Sequence, residues 1–151
     1  MCENARQRQT NRAILLRLWQ NQFNTKALCL IMEIDMAKSN LEIHNEAVQK
    51  AKKAVKEMQE EYIKNNPDNE YGEPYYCGFA WVKIRPATTS FARALRKEGI
   101  VDEVSWNGGY DIWNPSDYHG QSMDFKEVGA DTYAKVLQSY GITAYSMSRA
   151  D

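Results

Sequence analysis

The residues best suited to hold a ligand are concentrated in one stretch, 106–124, where aromatic rings occur among amides, hydroxyls and carboxylates. Apolar and polar residues alternate on both sides of Asn107-Gly108-Gly109, which predicts a β-hairpin with a three-residue loop. In this register Gly109 takes the left-handed position that such a loop requires. The hairpin would pair Trp106 with Tyr110 and Val104 with Ile112.

A polar loop follows the hairpin at Asn114-Pro115 and leads to a predicted helix start. Asp124 and Glu127 have the spacing of a capping box, in which each side chain bonds to the backbone of the other residue. The unpaired N–H groups of a helix N-terminus attract anions, so a loop held there could bind an anionic ligand. The alternative is an ordinary surface loop.

Residues that could catalyse a reaction are sparse. Asp117 and His119 could act as an acid/base pair, but no third group is evident to orient them. There is no nucleophile elbow, P-loop or paired-histidine phosphoesterase motif. Cys2, Cys29 and Cys77 lack metal-ligand spacing, which indicates a reduced chain without a zinc site. We therefore expect a non-enzymatic protein with no catalytic residue, no cofactor and no metal.

The composition favours one globular domain with a basic N-terminal segment. The 151 residues are 43% hydrophobic, enough for a core, and the net charge is −1. Residues 1–31 carry five cations and one carboxylate, which leaves 14 cations and 19 carboxylates, a net charge of −5, in the remainder. Such a remainder is unsuited to DNA binding. No apolar run reaches membrane-spanning length, so we expect no membrane partner.

We predict two regions along the chain. Residues 1–36 form a basic extension that is either disordered or missing from the native product, which would then begin at Met32 or Met36. Residues 37–151 form a single α+β ligand-binding domain led by a long helix, 39–64.

That helix begins with a capping box, from Ser39 to Glu42, and ends before Pro67. Its apolar stripe has heptad spacing and is narrow, so we expect it to pack on one surface. The surface is either the sheet of the same chain or another subunit. The stripe consists of Leu41, Val48, Val55 and Tyr62, interleaved with Ala51 and Met58.

The segments after this helix indicate an α+β fold. Strand 75–84 has apolar residues on both alternating faces, which predicts a central strand covered on both sides. The hairpin lies between helices at 88–98 and 125–140, and a last strand follows at 142–148. The result is a β-α-β-β-α-β unit with a mainly antiparallel sheet, the order of a ferredoxin-like fold, although the strand pairing stays open. Gly129, inside the last helix, predicts a close packing contact.

The C-terminal half is rich in groups that bind nucleotides. Aromatic rings stack on bases, and cationic side chains bind phosphate oxygens. For Trp81 and Trp106 we favour core packing. Arg149 and Asp151 are two residues apart at the end of the last strand, so both can point to one side. The candidate groups are Phe79, Trp81, Trp106, Trp113, Tyr118, Tyr133, Asn114, Gln121, Ser116, Ser122, Arg85, Lys126, Lys135 and Arg149.

Five short segments resemble the phage Thoeris anti-defence family of type one. They are residues 77–82 (CGFAWV), 113–115 (WNP), 120–122 (GQS), 126–130 (KEVGA) and 148–151 (SRAD), within a region that spans residues 74–151. The resemblance implies a sponge that binds a cyclic ADP-ribose isomer without cleaving it, and so blocks Thoeris immunity. It also implies a homo-oligomer, built from dimers, that acts in the host cytoplasm and can hold other cyclic nucleotide signals.

By the same resemblance, Arg149 would hold phosphate, residues 113–122 would line the pocket, and Lys135 would supply a second cation. The expected ligand-binding residues are Trp113, Asn114, Tyr118, Gln121, Ser122, Lys135, Arg149 and Asp151. Two other functions stay open. One is an enzyme that degrades a nucleotide signal, and the other is a module that binds a host protein through the helix stripe.

Overall fold

The computed structural model describes residues 38–101, 104–105 and 107–151. Along them lie α1 (Asn40–Asn65), β1 (Gly78–Ile84), α2 (Ser90–Lys97), β2 (Tyr110–Trp113), α3 (Met123–Ser139) and β3 (Ala144–Ala150). The basic extension, 1–36, lies outside the described residues and stays a prediction. None of the helices in these ranges is long and apolar enough to cross a membrane.

The three strands form an antiparallel sheet with the order β2-β1-β3. This arrangement confirms the predicted α+β class, with a long first helix and an antiparallel sheet. It also confirms that β1 is the central strand. The order and directions are those of three of the four strands in a ferredoxin-like unit, with the outermost strand beside β2 missing from the described residues.

The predicted pairing of Val104 with Ile112 is wrong. Residues 104–105 are not in a strand, and β2 pairs with β1 instead, so that Trp113 lies opposite Trp81. The alternation of apolar residues correctly put Tyr110 and Ile112 on one face, but it could not show which strand they pair with. Trp106 and its expected pairing lie outside the described residues.

The turn before β2 is nevertheless present and is fixed to the sheet by side chains. The Ser105 N–H donates to the Gly109 carbonyl at 2.9 Å, and Gly109 has the predicted left-handed backbone, with φ +78°. Lys83 Nζ of β1 donates to Ser105 Oγ and to Asn107 Oδ1, both at 2.8 Å. These bonds hold the turn over the end of β1 without a β-ladder.

The capping box that begins α1 is confirmed. The Ser39 hydroxyl accepts from the Glu42 N–H, and the Glu42 carboxylate accepts from the Ser39 N–H. The helix packs mainly against α3 and also against α2, so it is buried within its own chain, on helices rather than directly on the sheet. Its buried line has a spacing of four residues and shares two positions, Ala51 and Val55, with the predicted stripe. The buried residues are Ile43, Ala47, Ala51 and Val55.

The helix α3 begins at Met123, so the capping box predicted at Asp124 is wrong. The residue at the N-cap position is Ser122, whose side chain makes no capping bond. The predicted close contact at Gly129 is confirmed, because a Cβ there would lie 2.6 Å from Ser116 Cβ. Gly129 therefore lets the loop before α3 pack directly on the helix.

The sheet has two different faces. Ala80, Val82 and Ile84 of β1 point into the core, where α3 packs against β1 and β3. Alternate residues of the strands form the opposite, outer face. Phe79 is 39% exposed there, so the cover predicted for both sides of β1 is absent from this part of the described chain. The outer-face residues are Phe79, Trp81, Lys83, Asp111, Trp113, Tyr145, Met147 and Arg149.

Candidate functional site

The outer face carries an exposed group of rings and cations around the first half of β1. In the strand register, Trp81 lies between Trp113 and Met147, and Phe79 lies opposite Arg149. We call these five residues the aromatic face. Because a strand alternates its side chains between two faces, the sheet itself puts all five on one side.

The two tryptophans of the aromatic face stack on each other. Their ring centroids are 4.7 Å apart, with an angle of 29° between the ring planes. Trp81 is half-buried, whereas Trp113 is 58% exposed. One tryptophan therefore supports the other, and the exposed ring of Trp113 is held in place as a stacking surface.

Two cations flank the Phe79 ring from different elements. Lys126 Nζ, from α3, lies 5.5 Å from the ring centroid, and Arg149 Cζ, from β3, lies 5.9 Å from it. Lys126 also donates a hydrogen bond of 2.8 Å to the Gly78 carbonyl. The two cations are thus next to the tryptophan stack, because Phe79 and Trp81 are only two residues apart on β1.

A buried ion pair occupies the other end of the outer face. Lys83 Nζ lies 2.6 Å from Asp111 Oδ1, and both side chains are shielded from solvent. The same ammonium group donates to Ser105 and Asn107 of the turn, so all three of its donors have partners within the fold. This end of the sheet is therefore closed, and the open part lies around Phe79 and the tryptophans.

The loop after β2 is braced by the side chain of Asn114. Its Nδ2 donates to the Tyr118 carbonyl at 2.8 Å, and its Oδ1 accepts from the Tyr118 N–H at 3.2 Å. Asn114 and Asp117 both have positive φ, at 43° and 55°. The loop is therefore a defined turn rather than a free segment, and both ends of the Asn114 amide are engaged within it.

The N-terminus of α3 is capped by a carboxylate from a distant part of the chain. Glu73 accepts from the backbone N–H groups of Gln121 and Ser122, each at 3.2 Å, and from the hydroxyl of Tyr118. Partial burial alone would raise the pKa of Glu73, but these hydrogen bonds and the charge of Lys126 lower it below its usual value. The anion that the helix start was expected to attract is thus supplied by the protein itself.

Tyr118 takes its position from the same carboxylate. Its ring packs edge-on against Phe125, with centroids 5.5 Å apart. Burial, followed by the hydrogen bond to Glu73, raises the pKa of Tyr118 above its ordinary value. Tyr118 therefore links the loop to the connector between α1 and β1, residues 66–77, through a neutral hydroxyl that is fixed in position.

Three of the predicted site residues meet around Gly78–Trp81 of β1. Trp113 pairs with Trp81, Arg149 pairs with Phe79, and the Gln121 carbonyl accepts from the Gly78 N–H at 3.4 Å. The first two belong to the aromatic face. Gln121 lies beside the start of the same strand, with an exposed side chain.

The remaining predicted site residues have varied surroundings. Asn114 and Tyr118 brace the loop, as described above. Ser122 is completely buried, and Asp151 extends the β3 pairing by donating its N–H to the Cys77 carbonyl at 3.2 Å. Lys135 is exposed on α3, three turns beyond the helix start, and is not grouped with the others.

Sequence reasoning missed how four other residues contribute. Trp81, expected in the core, lies on the outer face, and Phe79 and Lys126 were among the candidate groups without an assigned position. Glu73, which organises the loop, was not singled out. The alternation along residues 78–84 shows that Phe79 and Trp81 share one face of the strand. Because both faces are apolar, it does not show which face is covered.

A cavity of about 940 Å³ lies beside β2, and Ile112 and Trp113 are among its lining residues. His44 lines it and has its Nδ1 2.6 Å from the hydroxyl of buried Tyr133. Burial lowers the pKa of His44 below its ordinary value. Asp117 lies at the cavity rim and pairs with Lys52 at 3.1 Å.

The predicted acid/base pair is exposed to solvent. His119 Nε2 lies 3.4 Å from Asp117 Oδ1, and both side chains are more than half exposed. The hydrogen bond and charge of Lys52, and then the charge of His119, lower the pKa of Asp117. Among the described residues, no three His, Cys, Asp or Glu side chains are grouped as ligands for a metal ion.

Comparison of this chain with protein families, with curated proteins and with solved structures found no match.

Proposed function

We propose that this protein binds and sequesters a cyclic ADP-ribose-type nucleotide without cleaving it, as a phage anti-defence protein that blocks Thoeris immunity. The observation that carries the proposal is the aromatic face, where an exposed, supported tryptophan lies near two cations. A nucleobase can stack on Trp113, and phosphate oxygens can bind Arg149. The short segments that resemble the Thoeris anti-defence family support this class of ligand.

The dimensions of the face suit a ligand of this kind. Trp113 and Arg149 are two strands apart across the sheet and two residues apart along it. With usual strand spacings, their Cα atoms are about 12 Å apart. The side chains of Trp113 and Arg149 can extend toward each other over the outer face. They can then contact the base and the phosphates of one ADP-sized molecule at the same time.

Tight capture favours a homo-oligomer. A sponge must compete with a receptor, and nanomolar affinity corresponds to about −12 kcal/mol. The aromatic face is open in one chain, since Trp113, Met147 and Phe79 are 58%, 43% and 39% exposed. Enclosure of the ligand against a second chain would supply the missing contacts and would bury these side chains.

Sequestration is favoured over degradation by the position of the candidate acid/base pair. Asp117 and His119 are exposed, and Asp117 is already paired with Lys52. A general base needs a defined substrate pose and a group that orients it. A nucleotide-degrading enzyme remains the alternative, and it is separated from a sponge by incubating the protein with ligand, denaturing it, and identifying the released molecule by mass spectrometry. Intact ligand supports the sponge, and a cleaved product contradicts it.

A module that binds a host protein through the α1 stripe is less well supported. Val55 is 3% exposed and lies close to Gly129 of α3, so this part of the stripe is occupied within the chain. Substitution of Val55 should therefore destabilise the fold rather than remove a partner selectively.

Calorimetry with a cyclic ADP-ribose isomer tests the proposed site. We expect Trp113→Ala and Arg149→Ala each to weaken binding by about tenfold or more, because a stacked base and a charge-assisted hydrogen bond each contribute on the order of 1–3 kcal/mol. The matched control is Tyr71→Ala, which removes a 74% exposed ring of the connector. Equal affinity in all four proteins would refute the assignment of the aromatic face.

A further inference from the structure

We propose that Lys126 is a phosphate-binding residue, and that its ammonium group acts with the Arg149 guanidinium as a clamp for a diphosphate beside the Phe79 ring. This inference rests on the proposed function, because it concerns the same face. It adds a cation that the expected set of ligand-binding residues did not include.

The geometry places the two cations on one ring. Lys126 Nζ is 5.5 Å and Arg149 Cζ is 5.9 Å from the Phe79 centroid, so they are at most about 11 Å apart. They come from separate elements, α3 and β3, that meet at the start of β1. Both side chains are long enough for a diphosphate at the edge of the ring to contact the two together.

The Lys126 ammonium group is held in position by one hydrogen bond, and its other donors are open to a ligand. It donates one hydrogen bond, of 2.8 Å, to the Gly78 carbonyl, and an ammonium group has three donors. Its charge contributes to the lowered pKa of Glu73, but no carboxylate of the described residues lies within salt-bridge distance of it. Lys83 differs, because its ammonium group contacts a carboxylate at 2.6 Å and two further oxygens.

The position of Lys126 also explains the chemical class of ligand. A phosphate that enters the site meets an ammonium group that the Gly78 carbonyl already orients beside the Phe79 ring. Arg149 adds a planar fork that suits two phosphate oxygens. A neutral nucleoside offers neither cation a partner, so the clamp should distinguish ADP from adenosine.

Calorimetry with ADP and with adenosine, on four proteins, provides the first test. We expect Lys126→Gln, which removes the charge but keeps a donor, to weaken ADP binding by about tenfold or more and to change adenosine binding by less than twofold. Lys126→Arg should retain most of the ADP affinity. Lys53→Gln is the control, since it removes an exposed lysine of α1, a helix that packs on α3 and α2 rather than on the sheet.

Inorganic pyrophosphate, titrated into the same proteins and followed by NMR, provides the second test. We expect shifts at Lys126, Gly78 and Arg149 in the unmodified protein, and their loss in Lys126→Gln. If ADP binds and Lys126→Gln binds it equally well, the clamp is refuted while the proposed function stands. If pyrophosphate binds through Lys126 but neither ADP nor a cyclic ADP-ribose isomer binds, the proposed function is refuted while the clamp stands. If pyrophosphate does not bind the unmodified protein, the clamp is refuted.

Discussion

Replacement of Glu73 by glutamine should loosen the loop that borders the aromatic face. One Glu73 oxygen accepts from Tyr118 and from the Ser122 N–H, and the other accepts from the Gln121 N–H. In Glu73→Gln, the carbonyl oxygen can replace only one of these two oxygens. The amide nitrogen then faces an N–H group, so one hydrogen bond is lost and the others lose their charge assistance.

The expected destabilisation follows from these contacts. Hydrogen bonds to a charged group contribute about 1.5–3 kcal/mol each, and a carboxylate at a helix N-terminus contributes a further 0.3–1 kcal/mol or so. Glu73 is only partly buried, and glutamine keeps some of the bonds, so we expect a loss of about 2 kcal/mol. For a chain of this size, that corresponds to a fall in Tm of roughly 4–8 °C.

Urea unfolding followed by far-UV circular dichroism measures this loss. The control is Glu70→Gln, which changes an exposed glutamate of the same connector and should be neutral within about 0.5 kcal/mol. Because the folded-state pKa of Glu73 lies below 4.5, its contribution is present above pH 4.5 and is lost as the pH falls through the lower, folded value. Equal stability of Glu73→Gln and Glu70→Gln at pH 7 would refute the capping role.

Three further outcomes follow from the packing of α1 and α3. Gly129→Ala should lower the free energy of unfolding by about 1–3 kcal/mol, because the new Cβ meets Ser116. This cost outweighs the better helix propensity of alanine. A stabilised variant in a urea titration would contradict the prediction. The folded pKa of His44 lies below 6.5, so the free energy of unfolding should fall as the pH drops from 6.5 through the folded pKa. His44→Gln should remove this dependence of stability on pH. The same pH dependence in melts of both proteins would refute the prediction. Tyr133→Phe should leave Nδ1 of the half-buried His44 without its partner and cost about 1 kcal/mol, measured by the same melts. Full stability of this variant would rule out that bond as a stabilising contact.

Local features of the fold could be predicted from the sequence. The capping box at Ser39 and the turn at Gly109 depend on residues a few positions apart, and both are present. The close contact at Gly129 was also predictable, because a glycine inside a helix implies a missing side chain that a neighbour can use. What the pattern could not show was that the neighbour is Ser116.

Non-local pairing explains the errors. The start of α3 is capped by Glu73, which lies 49 residues before Ser122, so no pattern around Asp124 could locate the cap. β2 pairs with β1 across α2 and the turn, and not with the adjacent residues 104–105. β1 has a neighbour on each side, and only the full set of strand partners decides which segments pair with it.

The candidate site was predictable in part for the same reason. Trp113, Gln121 and Arg149 were selected by residue type and by resemblance, and strand pairing brings them to one segment of β1. Phe79 and Trp81 line that segment, but their exposure depends on which sheet face α3 covers. The position of Lys126 over Phe79 depends on the packing of the α3 start against β1, which periodicity does not reveal.

Native mass spectrometry of the protein recovered from cells with an active TIR-domain defence enzyme tests the central claim most directly. We predict an oligomer that carries an intact cyclic ADP-ribose-type nucleotide, and the loss of this added mass in Trp113→Ala and in Arg149→Ala. A protein that emerges without nucleotide, or one whose bound nucleotide is unaffected by both substitutions, would contradict the account.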